Sequence, residues 1–349
     1  MIPFRDTYRD IPLYSPAKKP CRVDLSDNTN LFGAPPSADR VLREEGFLRL
    51  ARYPAGYAPD LKRAVARYAD VAVENVTTGC GSDDVIDCAL RAFLEPGDVV
   101  AFPDPTFVMV PLFARLSALK PVPVPLRAGS DLDLDLDVEG LLATGAKLIY
   151  VCTPNNPTGT VASRAAVERL VDRAPGVVLI DQAYVEFARG GDFLDLARTR
   201  PNVLVTRTMS KAFGLAGLRV GWGVGSPSLV AEVEKARGPY KHTTLGEAVA
   251  VSALTEDVAW MEACAAEAVE NRERLRGGLK ALGLEPLPSE GNFLLVPVPE
   301  ARRVGESLRE RNVNVRVFEG LTGVGDALRI GCGPWPMMAS ALKALKEVL

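Results

Sequence analysis

Val177-Val178-Leu179-Ile180-Asp181-Gln182-Ala183-Tyr184 opens as an apolar run of strand-forming residues, ending at Ile180, and a carboxylate follows it directly. A run of that length without alternation reads as a strand buried on both faces, the pattern of a parallel sheet covered by helices. Three similar runs surround it: Val99-Val100-Ala101-Phe102, Leu148-Ile149-Tyr150-Val151 and Val203-Leu204-Val205. Between and before them, Ser82 to Leu94 and Arg164 to Arg173 carry helical spacing of apolar residues, and Ser82-Asp83-Asp84 reads as an N-cap and first turn. From about Asn75 to Val224 the alternation predicts an α/β fold built on a parallel sheet.

Outward from this region the pattern changes. Leu245 to Leu282, rich in Ala, Glu, Arg and Leu, reads as one long or broken helix leaving the large domain. Beyond it, Asn292 to Val298, Val313 to Val317 and Leu328-Arg329-Ile330 read as strands and Arg302 to Arg311 as a helix, with a final helix at the end: a small α+β domain. A chain of 349 residues exceeds what one core readily supports, so two lobes are expected. The expected division is an N-terminal segment, 1–45, joining the small domain; a large domain, 46–275; and a small C-terminal domain, 276–349.

The net charge of -3 argues against a nucleic-acid surface. The start, Met1-Ile2-Pro3-Phe4-Arg5-Asp6, lacks an apolar core of signal-peptide length, and no later stretch is apolar enough to span a bilayer, so a soluble, cytoplasmic protein is expected. Six cysteines without a C-x-x-C pair read as buried free thiols. The alternate aspartates of Asp131 to Asp137 invite a calcium-loop reading, but Leu136 and Leu142 stand where the loop needs Gly and Glu, so a short extended segment is expected and no metal. A nicotinamide-binding fold is excluded in the same way, since no G-x-G-x-x-G follows the first strand.

Chemistry concentrates in Arg207-Thr208-Met209-Ser210-Lys211-Ala212-Phe213-Gly214-Leu215-Ala216-Gly217-Leu218-Arg219. Thr208 and Ser210 can donate to a phosphate, Arg219 can pair with it, and a lysine held beside that anchor is poised to form an imine with an aldehyde. Asp181 ends a buried strand, where open parallel sheets bind ligands, and a carboxylate there can keep a pyridine nitrogen protonated. Tyr184 and Asn156, the latter aimed by the prolines of Thr153-Pro154-Asn155-Asn156-Pro157-Thr158-Gly159, can reach a ring oxygen. Gly79-Cys80-Gly81-Ser82-Asp83 closes a strand and opens a helix, so its N–H groups and the Ser82 hydroxyl form a phosphate seat.

In this order, with Arg52-Tyr53-Pro54 and Leu328-Arg329-Ile330, the motifs resemble the fold-type I pyridoxal-phosphate (PLP) aminotransferases over nearly the whole chain, and within them the histidinol-phosphate aminotransferase family. The resemblance implies a large domain with a mostly parallel seven-stranded sheet between helices, a small α+β domain, and a homodimer. It implies Lys211 as the cofactor-bearing and proton-transfer residue, Asp181 on the pyridine nitrogen, Asn156 and Tyr184 on the ring oxygen, and Ser82, Asp83, Thr208, Ser210 and Arg219 around the phosphate. Tyr53 would reach that phosphate from the other subunit, Phe107 would stack on the ring, and Tyr14 and Arg329 would handle substrate, with Asn156 nearby.

The chain departs from the family pattern at Gln182, where an acidic residue is common, at Phe107, often tyrosine, and at Asp27 to Gly33, where relatives carry Asn-Glu-Asn-Pro. Lys241 and His242 also occupy a stretch that is usually apolar or small, and His242 reads as a surface or packing residue. The reaction expected is transamination from histidinol phosphate to 2-oxoglutarate. Because a guanidinium grips phosphate and carboxylate alike, Arg329 leaves phenylalanine as the alternative donor. Decarboxylation of an amino-acid phosphate and non-catalytic PLP binding are the remaining readings.

Overall fold

The structure, a computed structural model, describes residues 5–11, 13, 20–44, 50–128 and 134–349. Seven strands form the central sheet in the spatial order Val76–Cys80, Val220–Gly225, Val203–Thr208, Val177–Asp181, Leu148–Cys152, Val99–Asp104, Lys120–Pro125. Only Val220–Gly225 runs antiparallel to its neighbours. Within the apolar runs, successive side chains enter opposite cores, as the pleat dictates. Ile149, Val151, Val178, Ile180, Val203 and Val205 belong to one core. Leu148, Tyr150, Cys152, Leu179 and Leu204 belong to the other, packed with residues of helix Ser82–Phe93.

The start of helix Ser82–Phe93 differs from the sequence reading. Gly81, at φ 82°, is the cap residue, and Ser82 makes no capping bond. The glycine takes the positive φ that the turn requires, so Ser82 enters the helix and its side chain lines a cavity.

The small lobe is a three-stranded antiparallel sheet, Phe293–Pro297, Gly325–Gly331, Arg316–Leu321, covered by helices Ala301–Glu310 and Trp335–Val348. The strand expected over Val313 to Val317 is two pieces: Val313–Asn314 pairs with Val23–Asp24, and Arg316–Leu321 pairs with Gly325–Gly331. The N-terminal region therefore serves both lobes. Val23 and Leu25 join the small core, whereas Ala38 and Val41 of helix Ser37–Glu44 join the large one.

The expected long helix is broken at Asp257 into Thr244–Glu256 and Val258–Ala281. Its carboxylate Oδ2 accepts the Ser37 N–H at 3.1 Å and the Ser37 hydroxyl at 2.5 Å. The second helix ties the lobes together, with Met261 and Ala265 in the large core and Leu275 and Leu279 in the small one. Of the aspartate repeat, residues 131–133 lie outside the described residues. Leu134–Asp135 pairs with Arg127–Ala128, and Asp137 caps helix Val138–Ala143. Among the described residues, no helix is long and apolar enough to cross a membrane.

Candidate active site

The carboxyl ends of the parallel strands meet the small lobe around a cavity of about 450 Å³. Ser82 and Asp83 follow strand Val76–Cys80, Phe107 follows Val99–Asp104, and Asn156 follows Leu148–Cys152. Asp181 ends its strand with Tyr184 just beyond, Thr208 ends the next strand, and Ser210, Lys211 and Arg219 lie on the loop from there to Val220–Gly225. The small lobe adds Arg316, Phe318 and Arg329, and the N-terminal segment adds Ser26, Asp27 and Thr29. This is the position at which an open α/β sheet presents ligands.

Lys211 Nζ donates to the Asp27 carbonyl at 2.9 Å and sits 5.7 Å from the centre of the Tyr184 ring. Burial first, and Arg329 second, bring its pKa down to about 8, with Asp83 and Asp27 opposing. Near pH 7 roughly a tenth of such amines are neutral, a far larger share than for a free lysine.

Asp181 is buried, and each carboxylate oxygen accepts a hydroxyl from a neighbouring strand: Tyr150 at 2.7 Å on Oδ2 and Thr206 at 3.3 Å on Oδ1. Burial pushes its pKa up to about 6, and these donors pull against the rise. Both were missed in the sequence, where Tyr150 read only as a strand residue and Thr206 lay just past the run Val203-Leu204-Val205. A hydroxyl within a fully buried strand was the available signal.

At another part of the cavity, Arg219 adopts φ 55°, a strained conformation for a side chain of its size, and bonds Ser210 Oγ at 3.2 Å and the Ala216 carbonyl at 3.3 Å. Its Nη2 faces Asp83 Oδ2 at 3.4 Å. A Cβ on Gly81 would lie 2.5 Å from Arg219 Nη2, so glycine is required for the guanidinium to stand there. Ser210 N–H donates to Thr208 Oγ at 3.1 Å. Burial raises the Asp83 pKa, opposed first by Arg219.

Arg329 donates to Asn156 Oδ1 and, at 2.6 Å, to the Ser26 carbonyl. The Asn156 carbonyl is thus taken, leaving its NH₂ as the group able to meet a ligand oxygen. Arg316 stands opposite Arg329 in the antiparallel register and lines the same cavity, with no hydrogen bond or ion pair among the described residues. The sequence reading passed over it, since only the hairpin places the two guanidinium groups side by side.

Of the departures, Gln182 points away from the cavity: its NH₂ donates to the Gly191 carbonyl at 2.6 Å and its Oε1 accepts Arg207 at 3.0 Å. The Asn28 side-chain NH₂ donates to the Tyr184 hydroxyl at 3.3 Å, and its backbone carbonyl accepts the Asn292 NH₂ at 3.1 Å. His242 is buried with no hydrogen-bond partner for either ring nitrogen among the described residues, while Lys241 pairs with Asp84 at 2.7 Å. Tyr53 is outside the cavity, 83% exposed and stacked on Tyr240. Tyr14 lies outside the described residues.

The donor set fits PLP. Three hydroxyls, Ser82, Thr208 and Ser210, accompany a guanidinium suited to a phosphate, a buried carboxylate suits a protonated ring nitrogen, the Phe107 ring offers a flat apolar wall, and Lys211 supplies an amine.

The family model described as aminotransferase class I and II matches residues 22–345. A histidinol-phosphate aminotransferase of Thermoanaerobacter sp. (strain X514) is 33% identical over 347 residues, covering 99% of this chain and 98% of that protein. One from Roseiflexus castenholzii is 37% identical over 335 residues, 93% of this chain and 89% of that protein. Among solved structures, the histidinol-phosphate aminotransferase of Sinorhizobium meliloti in complex with pyridoxal-5'-phosphate superposes with a TM-score of 0.87 at 26% identity, covering 95% of this chain and 91% of that one.

Proposed function

The chain belongs to the class I and II aminotransferases, and we propose that it is a PLP-dependent enzyme that moves the amino group of histidinol phosphate to a 2-oxo acid, 2-oxoglutarate. The observation that carries this reading is one cavity that combines a half-buried amine, a buried carboxylate and two separate cationic groups: Arg219 beside Ser210, and Arg329 with Arg316 opposite it in the hairpin register. The first suits the cofactor phosphate. The second suits the anionic end of donor and acceptor in turn, a phosphate or a carboxylate.

When bound, PLP supplies an aldehyde carbon that carries the amino group and a ring that draws electrons from the donor's α-carbon. Lys211 would hold this carbon in the resting enzyme, and its Nζ, once free, would accept and return the donor's α-proton, a role that needs the neutral amine favoured by burial. Asp181 keeps the ring nitrogen protonated, while Tyr184 and the Asn156 NH₂ hold the ring oxygen. Phe107 covers the ring, and Ser82, Asp83, Thr208, Ser210 and Arg219 surround the phosphate. Tyr14 and Arg329 bind substrate.

We assign the exposed Tyr53 to the site of a second copy, where it would complete the phosphate contacts in a homodimer. We place the enzyme in a cytoplasmic biosynthetic role, a reading that the relatives' names support. The experiment is a half-reaction followed by absorbance: histidinol phosphate should convert the bound cofactor rapidly to its amine form, and phenylalanine should not. Conversion by phenylalanine alone would move the assignment to aromatic amino acids, and release of carbon dioxide would make the enzyme a decarboxylase.

A further inference from the structure

Tyr150 sits in the middle of a buried strand, among Leu148, Leu179 and Leu204, where a phenyl ring would pack as well as a phenol. Its hydroxyl makes a polar contact that the packing does not need, the 2.7 Å bond to Asp181 Oδ2. Pairing of Cys152 with Asp181 and of Asp181 with Thr206 across the sheet brings Tyr150, Asp181 and Thr206 together. Tyr150 is two residues before Cys152 and shares its face. The carboxylate is thereby held from both flanks, one hydroxyl to each oxygen. Asp181 lines the cavity and Tyr150 does not.

Resting on the PLP reading above, we propose that Tyr150 is a positioning residue that acts through Asp181, fixing the carboxylate and biasing the shared proton onto the cofactor's ring nitrogen. In a dry site, a carboxylate beside a protonated pyridine can take the proton and leave both groups neutral. Each hydrogen bond donated to the carboxylate stabilises its ionised form and opposes that transfer. Toward the ionised carboxylate the phenol is the donor, because burial first, and the adjacent carboxylate second, keep it protonated. Removing it takes away the shorter of the two bonds. The proton then moves from the ring nitrogen to an Asp181 oxygen, with no change in the total, and the ring loses electron-withdrawing power.

The test is Tyr150→Phe in the holoenzyme reconstituted with PLP labelled with nitrogen-15 in the ring. The ring-nitrogen resonance should move toward the unprotonated position, and the single-turnover rate with histidinol phosphate should fall about 10- to 100-fold, the range for a hydrogen bond to a charged group. KM should change less than about twofold, since Tyr150 touches no substrate. An unchanged resonance with an unchanged rate overturns the proposal. If the Phe variant folds poorly, Tyr150 is replaced by difluorotyrosine, a stronger donor of the same shape. The resonance should then shift further toward the protonated position, and no shift overturns the proposal. Failure of the wild-type protein to take up PLP at all defeats the cofactor reading itself, an outcome separate from the first.

Discussion

The half-buried amine of Lys211 makes a quantitative claim about stability. An unfolded lysine holds its proton up to about pH 10.5, whereas the folded cofactor-free protein releases it near 8. The folded state therefore carries a cost that is complete below pH 8 and fades as pH rises to 10.5, so stability rises across that window. A displacement of that size corresponds to about 3 kcal/mol at neutral pH. Lys211→Met removes the charge at similar volume and also loses the bond to the Asp27 carbonyl, a loss of about 1 kcal/mol. The net expectation is a cofactor-free variant about 2 kcal/mol more stable than wild type at pH 7, with the advantage lost before pH 10.5 and replaced above it by a deficit of about 1 kcal/mol, the missing bond to Asp27. The assay is urea unfolding of both cofactor-free proteins at one fixed concentration, with the difference plotted against pH. Tyrosines and cysteines that titrate in the same range are common to both and cancel. A stability difference that does not vary with pH would refute the reasoning, whatever the variant does to activity.

Arg316→Ala should raise KM for histidinol phosphate about 10- to 100-fold by removing a charge-assisted contact of ~1.5–3 kcal/mol, and leave the absorbance of the bound cofactor unchanged. Steady-state kinetics and a spectrum of the same sample check both halves. Gly81→Ala places a Cβ 2.5 Å from Arg219 Nη2 at a φ of 82°, so PLP affinity, read by equilibrium titration, should fall about tenfold or more through strain of ~1–3 kcal/mol. His242 is buried and held neutral, its pKa lowered to about 4 by burial first and Arg237 second. Stability should therefore drop as pH falls from 6.5 toward 4, and His242→Phe should flatten that part of the curve in unfolding measurements.

Much of the fold was legible locally because its signals are local. Four apolar runs predicted buried strands, and all four lie in the central sheet, with their alternate residues in two cores. A strand's carboxyl end is a position along the chain, so Asp181, Asn156, Thr208 and Lys211 could be gathered at one edge before any coordinates were known, and the cavity contains them all. Features set by register were not legible. Arg316 joins the site only because a hairpin sets it opposite Arg329, and Tyr150 finds Asp181 only because two strands align Cys152 with that aspartate. Asp27 offers its backbone carbonyl to Lys211, a contact to which its side-chain identity contributes nothing. The break at Asp257 depends on Ser37, 220 residues earlier, and the helix that begins at Pro59 has no side-chain cap of its own but meets Glu247 from a distant helix. Composition and periodicity report what each segment buries. Which buried polar group meets which depends on how strands and helices far apart in the chain are aligned, and that alignment exists only in the folded molecule.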